Sequence, residues 1–112
     1  LHTAVGKITG NTGWQTIFTA TNANAQSMGV IRVCSINGTP ASNVGEDKVL
    51  VRGNKTYSLV RTDGNHGNSF NYQWSGNNFQ IRNTNSNVYY AVKAELFDVG
   101  YPWYHSWASW MS

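Results

Sequence analysis

Apolar residues in this chain recur at every second position in short runs, and clusters of Gly, Asn, Asp, Ser and Thr break those runs at intervals of 8–12 residues. A period of two puts alternate side chains on opposite faces of an extended strand, whereas a helix needs apolar positions three and four apart. Eight strand candidates follow: residues 4–8 (AVGKI), 14–20 (WQTIFTA), 28–36 (MGVIRVCSI), 48–52, 55–62, 70–74, 79–82 and 88–97 (VYYAVKAELF). Gly53-Asn54 is a dipeptide that accepts positive φ and predicts a hairpin between the fourth and fifth. Regularly spaced short strands with no helix predict an all-β fold, an antiparallel β-sandwich with a jelly roll preferred. Residues 28–36 carry apolar side chains on both faces, which predicts a strand covered on both sides with Cys34 buried in it.

At 112 residues the chain has room for one domain, expected to span 1–112, with an aromatic-rich tail at 98–112. It begins at Leu1 without Met, which reads as a fragment of a larger protein or a processed product. Cys34 is the only cysteine, so no intrachain disulfide and no cysteine-built zinc site can form. Charged residues make up only 12%, and Asn, Ser, Thr and Gly together supply 45 of 112 positions, so amides and hydroxyls keep the surface wet. A net charge of +3 comes from basic residues scattered singly, which argues against nucleic acid as a partner. No apolar run reaches the ~18 residues of a membrane-spanning helix, so no membrane insertion is expected.

Residue types able to perform catalysis are sparse. Glu46-Asp47 fall in a stretch read as loop, where they serve solvation. Asp63 and His66 in a Gly-rich loop read as turn formers, not metal ligands, and no metal or other cofactor is expected. Cys34 reads as an inert small hydrophobe, and His2, His66 and His105 are dispersed along the chain. No Gly-x-Ser-x-Gly elbow, P-loop or His-Glu-x-x-His occurs. The chain alone is therefore expected to be non-catalytic. The triplets Asn37-Gly38-Thr39 and Asn54-Lys55-Thr56 match glycosylation acceptors, but arise readily by chance in so Asn- and Thr-rich a sequence.

The combination of aromatics with amides is the sharper signal. Sugars are held by flat aromatic faces against their C–H faces, with amides meeting their hydroxyls. Tyr72, Trp74, Tyr89, Tyr101, Trp103 and Tyr104 are the candidate ligand-binding rings. Phe70, Tyr72 and Trp74 alternate with polar residues, so filling the core is the stronger reading for those three. In the tail, Trp103, Trp107 and Trp110 fit helical spacing, while Tyr101, Trp103, His105 and Trp107 fit a strand. These tail indoles are expected to pack structurally, outside the sheet pattern that precedes them, or to form an intersubunit surface.

Low charge, abundant Asn, Ser, Thr and Gly, and the segments GWQTIFTA, MGVIRVCSI and VYYAVKAELF resemble the C-terminal domains of bacteriophage tail fibres and tailspikes. The segments are similar to the opening, central and closing strands of the trimeric, tumour-necrosis-factor-like jelly rolls that end such fibres. The resemblance implies a homotrimer on the virion tail that touches bacterial surface polysaccharide. It also implies that any depolymerase active site lies upstream, in the parent protein. A carbohydrate-binding module or lectin domain of a secreted glycan-active protein is the alternative.

Overall fold

The computed structural model describes residues 2–9, 13–21, 27–37, 43–64, 70–85, 88–98 and 105–112. The described residues form nine strands: β1 (His2–Thr9), β2 (Gln15–Ala20), β3 (Ser27–Asn37), β4 (Asn43–Arg52), β5 (Thr56–Gly64), β6 (Phe70–Ser75), β7 (Asn78–Asn83), β8 (Val88–Asp98) and β9 (His105–Trp107). Two antiparallel sheets result, ordered β1-β8-β3-β4-β5 and β6-β7-β2-β9. Pairs β1–β8 and β2–β7 join strands from the two halves of the chain, while β3, β4 and β5 follow one another as a meander.

Alternation sets the core. Along β8, Val88, Tyr90, Val92, Ala94 and Leu96 all point inward and are buried. Register extends this across the sheet: Ala4, Ala94, Ile31 and Val49 lie side by side on four strands, every one buried. Ile17, Phe18, Phe79 and Ile81 of the second sheet complete the same hydrophobic cluster. Full burial of each such side chain is worth about 1.5–3 kcal/mol, so this cluster is the main source of stability.

Four expectations need correction. β3 is covered on its inner face alone: Met28, Arg32, Cys34 and Ile36 are exposed, so the Cys34 thiol is not buried. The stretch read as loop at Glu46-Asp47 is strand, because β4 starts at Asn43 and takes both residues into the sheet. Asp47 then faces inward and is buried instead of solvated. The β4–β5 turn covers three residues, and positive φ falls at Lys55, not at Gly53-Asn54; a three-residue hairpin places its left-handed residue last. In the tail, Trp107 belongs to a strand after all, since β9 pairs with β2 and sets Trp107 opposite Phe18.

The outer face of the five-stranded sheet is banded. Lys93, Arg32 and Lys48 stand in one row across three strands. Lys93 pairs with Glu95 at 3.4 Å and Arg32 with Glu46 at 3.7 Å. Met28 and Phe97 lie at one end of this charged band, and Ile36, Tyr89 and Val44 at the other. With Val5, these are six of the nine large hydrophobic side chains exposed among the described residues.

Candidate functional site

Strands β5 and β6 form the free edges of the two sheets on one side of the sandwich. Side chains stitch this margin to backbone. Tyr57 Oη donates to the Tyr72 carbonyl oxygen at 3.0 Å, and Trp74 Nε1 donates to that of Thr56 at 3.1 Å. Above the stitch lies an open cleft of about 430 Å³ lined by Trp14, Tyr57, Leu59, Phe70, Asn71, Tyr72 and Gln73. Trp14 and Gln73 are half-buried, while Tyr57 and Leu59 are exposed.

Alternation in β6 explains the mixed lining: Phe70 and Tyr72 turn inward to form the cleft floor, and Asn71 and Gln73 turn outward to its rim. The floor is rigid. Tyr72 stacks on Phe79 with ring centroids 6.3 Å apart and 7° between planes, and its hydroxyl donates to buried Asp47 Oδ2 at 2.7 Å. Burial first, and then the Asp47 charge, push the Tyr72 phenol far above its ordinary pKa, so the hydroxyl stays a donor. From the rim an amide ladder runs outward, Gln73 Nε2 to Gln80 Oε1 at 2.8 Å and Gln80 Nε2 to Thr16 Oγ1 at 3.1 Å. The cleft thus offers ring faces beside oriented amides, the chemistry that a pyranose requires.

The sequence-derived candidates separate in space. Tyr72 underlies the cleft. Trp74 packs edge-on against Phe18 and Phe79, with Lys55 Nζ 4.8 Å over its ring. Tyr89 stands apart from the cleft, on the outer face of the five-stranded sheet in a separate groove with Ile36 and Val44. Tyr101, Trp103 and Tyr104 lie outside the described residues. Sequence reasoning missed Trp14, Tyr57, Asn71 and Gln73. The two amides were legible as the outward partners of the Phe70–Trp74 alternation, but Trp14 and Tyr57 reach the cleft only through the pairing of distant strands.

A second polar cluster was also invisible. His105 Nδ1 lies 2.8 Å from Asp98 Oδ2 with both side chains fully buried, and His2 bridges His105 and Trp107. Its far end is an indole N–H, a donor with no nucleophilic character. Among the described residues no group of three or more His, Cys, Asp or Glu side chains is arranged to hold a metal, and no helix is long and apolar enough to cross a membrane.

The architecture is that of an all-β sandwich with an aromatic–amide cleft at its open margin. Solved structures carry the same fold. The crystal structure of tailspike protein gp49 from Acinetobacter baumannii bacteriophage Fri1, a capsular polysaccharide depolymerase, matches 95% of this chain at a TM-score of 0.59 and 16% identity. The tailspike protein of Acinetobacter phage vB_ApiP_P1 matches 96% of it at a TM-score of 0.50 and 14% identity. The chain spans about a fifth of those proteins, 19% and 22% of their lengths. No family profile matches the sequence, and comparison with curated proteins gives no match. The resemblance to tailspike domains therefore holds at the level of the fold.

Proposed function

We propose that residues 1–112 form a single domain, with an aromatic segment at 98–112, that serves as the trimerising, glycan-binding tip of a phage tail fibre or tailspike. In this reading it sits on the virion tail as part of a larger protein and binds bacterial surface polysaccharide without cleaving it. The observation that carries the reading is the cleft between β5 and β6, set in a fold that phage tailspikes share. Its lining supplies ring faces and amides and, among the described residues, includes no carboxylate, thiol or imidazole. Trimerisation is supported by the apolar patches at both ends of the outer sheet face, because exposed apolar area of this extent marks interaction surfaces.

Titration with purified capsular polysaccharides tests the binding: Trp14→Ala lowers affinity at least ten-fold while Tyr89→Ala leaves it unchanged. Equal loss in both variants rejects the cleft. Sedimentation equilibrium at micromolar protein gives about three times the 12.4 kDa chain mass. A monomer that still binds glycan supports instead a free-standing carbohydrate-binding module. Release of reducing ends by the chain alone overturns the non-catalytic reading.

A further inference from the structure

Beside the cleft, behind its lining residues Trp14 and Asn71, stands a cation with no anionic partner among the described residues. Arg82 of β7 lies opposite Asn71 of β6, and its guanidinium carbon sits 4.7 Å from the centroid of the Trp14 ring. Asn71 engages a single donor. With its amide nitrogen donating to the Phe70 carbonyl oxygen at 3.2 Å, its oxygen accepts from Arg82 Nη2 at 3.0 Å. Arg82 Nε is buried and meets no acceptor among the described residues. Arg32 and Arg61, by contrast, each pair with a carboxylate, Glu46 and Asp63. The basic row on the outer sheet face is likewise interleaved with Glu46 and Glu95, and the groove it lines is about half as large, about 220 Å³.

A guanidinium has five N–H donors fixed in one plane and no acceptor. Stacking on an indole uses its face and leaves the N–H edge to meet a ligand. A sugar hydroxyl takes one of those donors. A carboxylate takes two at once, with charge assistance and defined geometry. Trp14 beside the guanidinium offers its ring to the sugar's C–H face, and Gln73 offers an amide for hydroxyls.

We propose that the cleft selects a carboxylate-bearing sugar, a uronic-acid-like residue whose carboxylate docks on Arg82 while its ring lies against Trp14. This rests on the glycan-binding reading of the cleft and adds to it the charge of the ligand.

The experiment measures binding of the wild-type chain to acidic bacterial capsular polysaccharides before and after chemical reduction of their carboxyl groups to alcohols, with neutral capsules alongside. Arg82→Gln and Arg82→Lys are measured in parallel, after thermal melting establishes that each folds. The expected result is at least a ten-fold loss on carboxyl reduction, a matching loss for Arg82→Gln on the unreduced polymer, and no difference between Arg82→Gln and wild type on the reduced polymer. Arg82→Lys recovers part of the affinity, since it restores charge without the planar fork. Equal binding of native and reduced polymers through Trp14 overturns the carboxylate preference and leaves glycan binding standing. Binding to no capsule, acidic or neutral, overturns both.

Discussion

His2 Nδ1 and His105 Nε2 meet at 2.5 Å, joining the first strand to the last across 103 positions of sequence. The contact has a direction. Trp107 Nε1–H can only donate, and it points at His2 Nε2 from 3.0 Å. His2 must therefore carry its proton on Nδ1 and donate to His105 Nε2, leaving His105 Nδ1–H for the Asp98 carboxylate at 2.8 Å. One donor direction runs from indole to carboxylate with both imidazoles neutral. A proton added to either ring puts two donors face to face somewhere in the chain.

Acid should loosen this end of the sandwich. Burial holds His105 below the ordinary imidazole pKa; the Asp98 charge and hydrogen bond pull the other way, and His2 adds a further downward push. The folded state thus prefers neutral imidazole, while unfolded histidine takes its proton near pH ~6.5. Stabilisation is complete above that pH and is lost as pH falls below it. Calorimetric scans should give a level Tm from pH 8 to 7 and a falling one from 6.5 to 5, with the fall blunted in His105→Gln. A wild-type Tm that stays level down to pH 5 contradicts this.

Trp110 clamps the chain end onto β1 and β2. Its Nε1 donates to the Thr16 carbonyl oxygen at 2.6 Å, and Met111 next to it bridges Gly6. Trp110→Ala should cost roughly 3 kcal/mol, the low end for a tryptophan truncation because the ring is only half-buried. Gly6→Ala should also destabilise, since a Cβ there would strike the Trp110 ring and lie 2.6 Å from its backbone oxygen. Urea melts of both variants measure this. A Gly6→Ala protein as stable as wild type shows that Trp110 does not hold this position.

Tyr72 and Asp47 form a buried hydrogen bond between the sheets. Tyr72→Phe removes the donor and keeps the ring, and loss of a bond to a charged group should cost about 1.5–3 kcal/mol. A midpoint shift without a change in denaturant slope is the expected signature. No shift means that water or another group replaces the hydroxyl without penalty.

Cys34 reports on assembly because it shares the outer sheet face with Ile36 and Tyr89. Cys34 is exposed, but partial desolvation by its neighbours first, and the Glu46 charge next, hold its thiol above the ordinary cysteine pKa, so labelling is slow near pH 7 and speeds up as pH rises. If that face is the subunit interface, maleimide labelling of native protein should be at least ten-fold slower than in Ile36→Glu, which should sediment as a monomer. Equal labelling rates and an unchanged mass place the interface elsewhere.

The strands were readable because alternation is a local property of extended backbone. Val88 to Leu96 announce their inward face through spacing alone, and that face is buried as expected. Turn-forming residues mark where strands stop to within a few positions, and they failed at Asn43–Gly45, where pairing with β3 carries β4 through a Gly–Asn-rich stretch.

What alternation cannot carry is which strand becomes a neighbour and what covers the outer side of a sheet. Cys34 and Ile36 read as buried because apolar residues occupy both faces of β3, and a single chain covers only one of them. Asp47 read as solvated because nothing near it in sequence supplies the hydroxyl of Tyr72, 25 positions away. The His2–His105 contact and the Trp14–Arg82 stack depend on pairing between β1 and β8, β2 and β9, and β2 and β7. Side-chain direction follows from the dihedral angles of each residue, whereas these contacts exist only once distant strands have been brought into register, and no local pattern encodes that register.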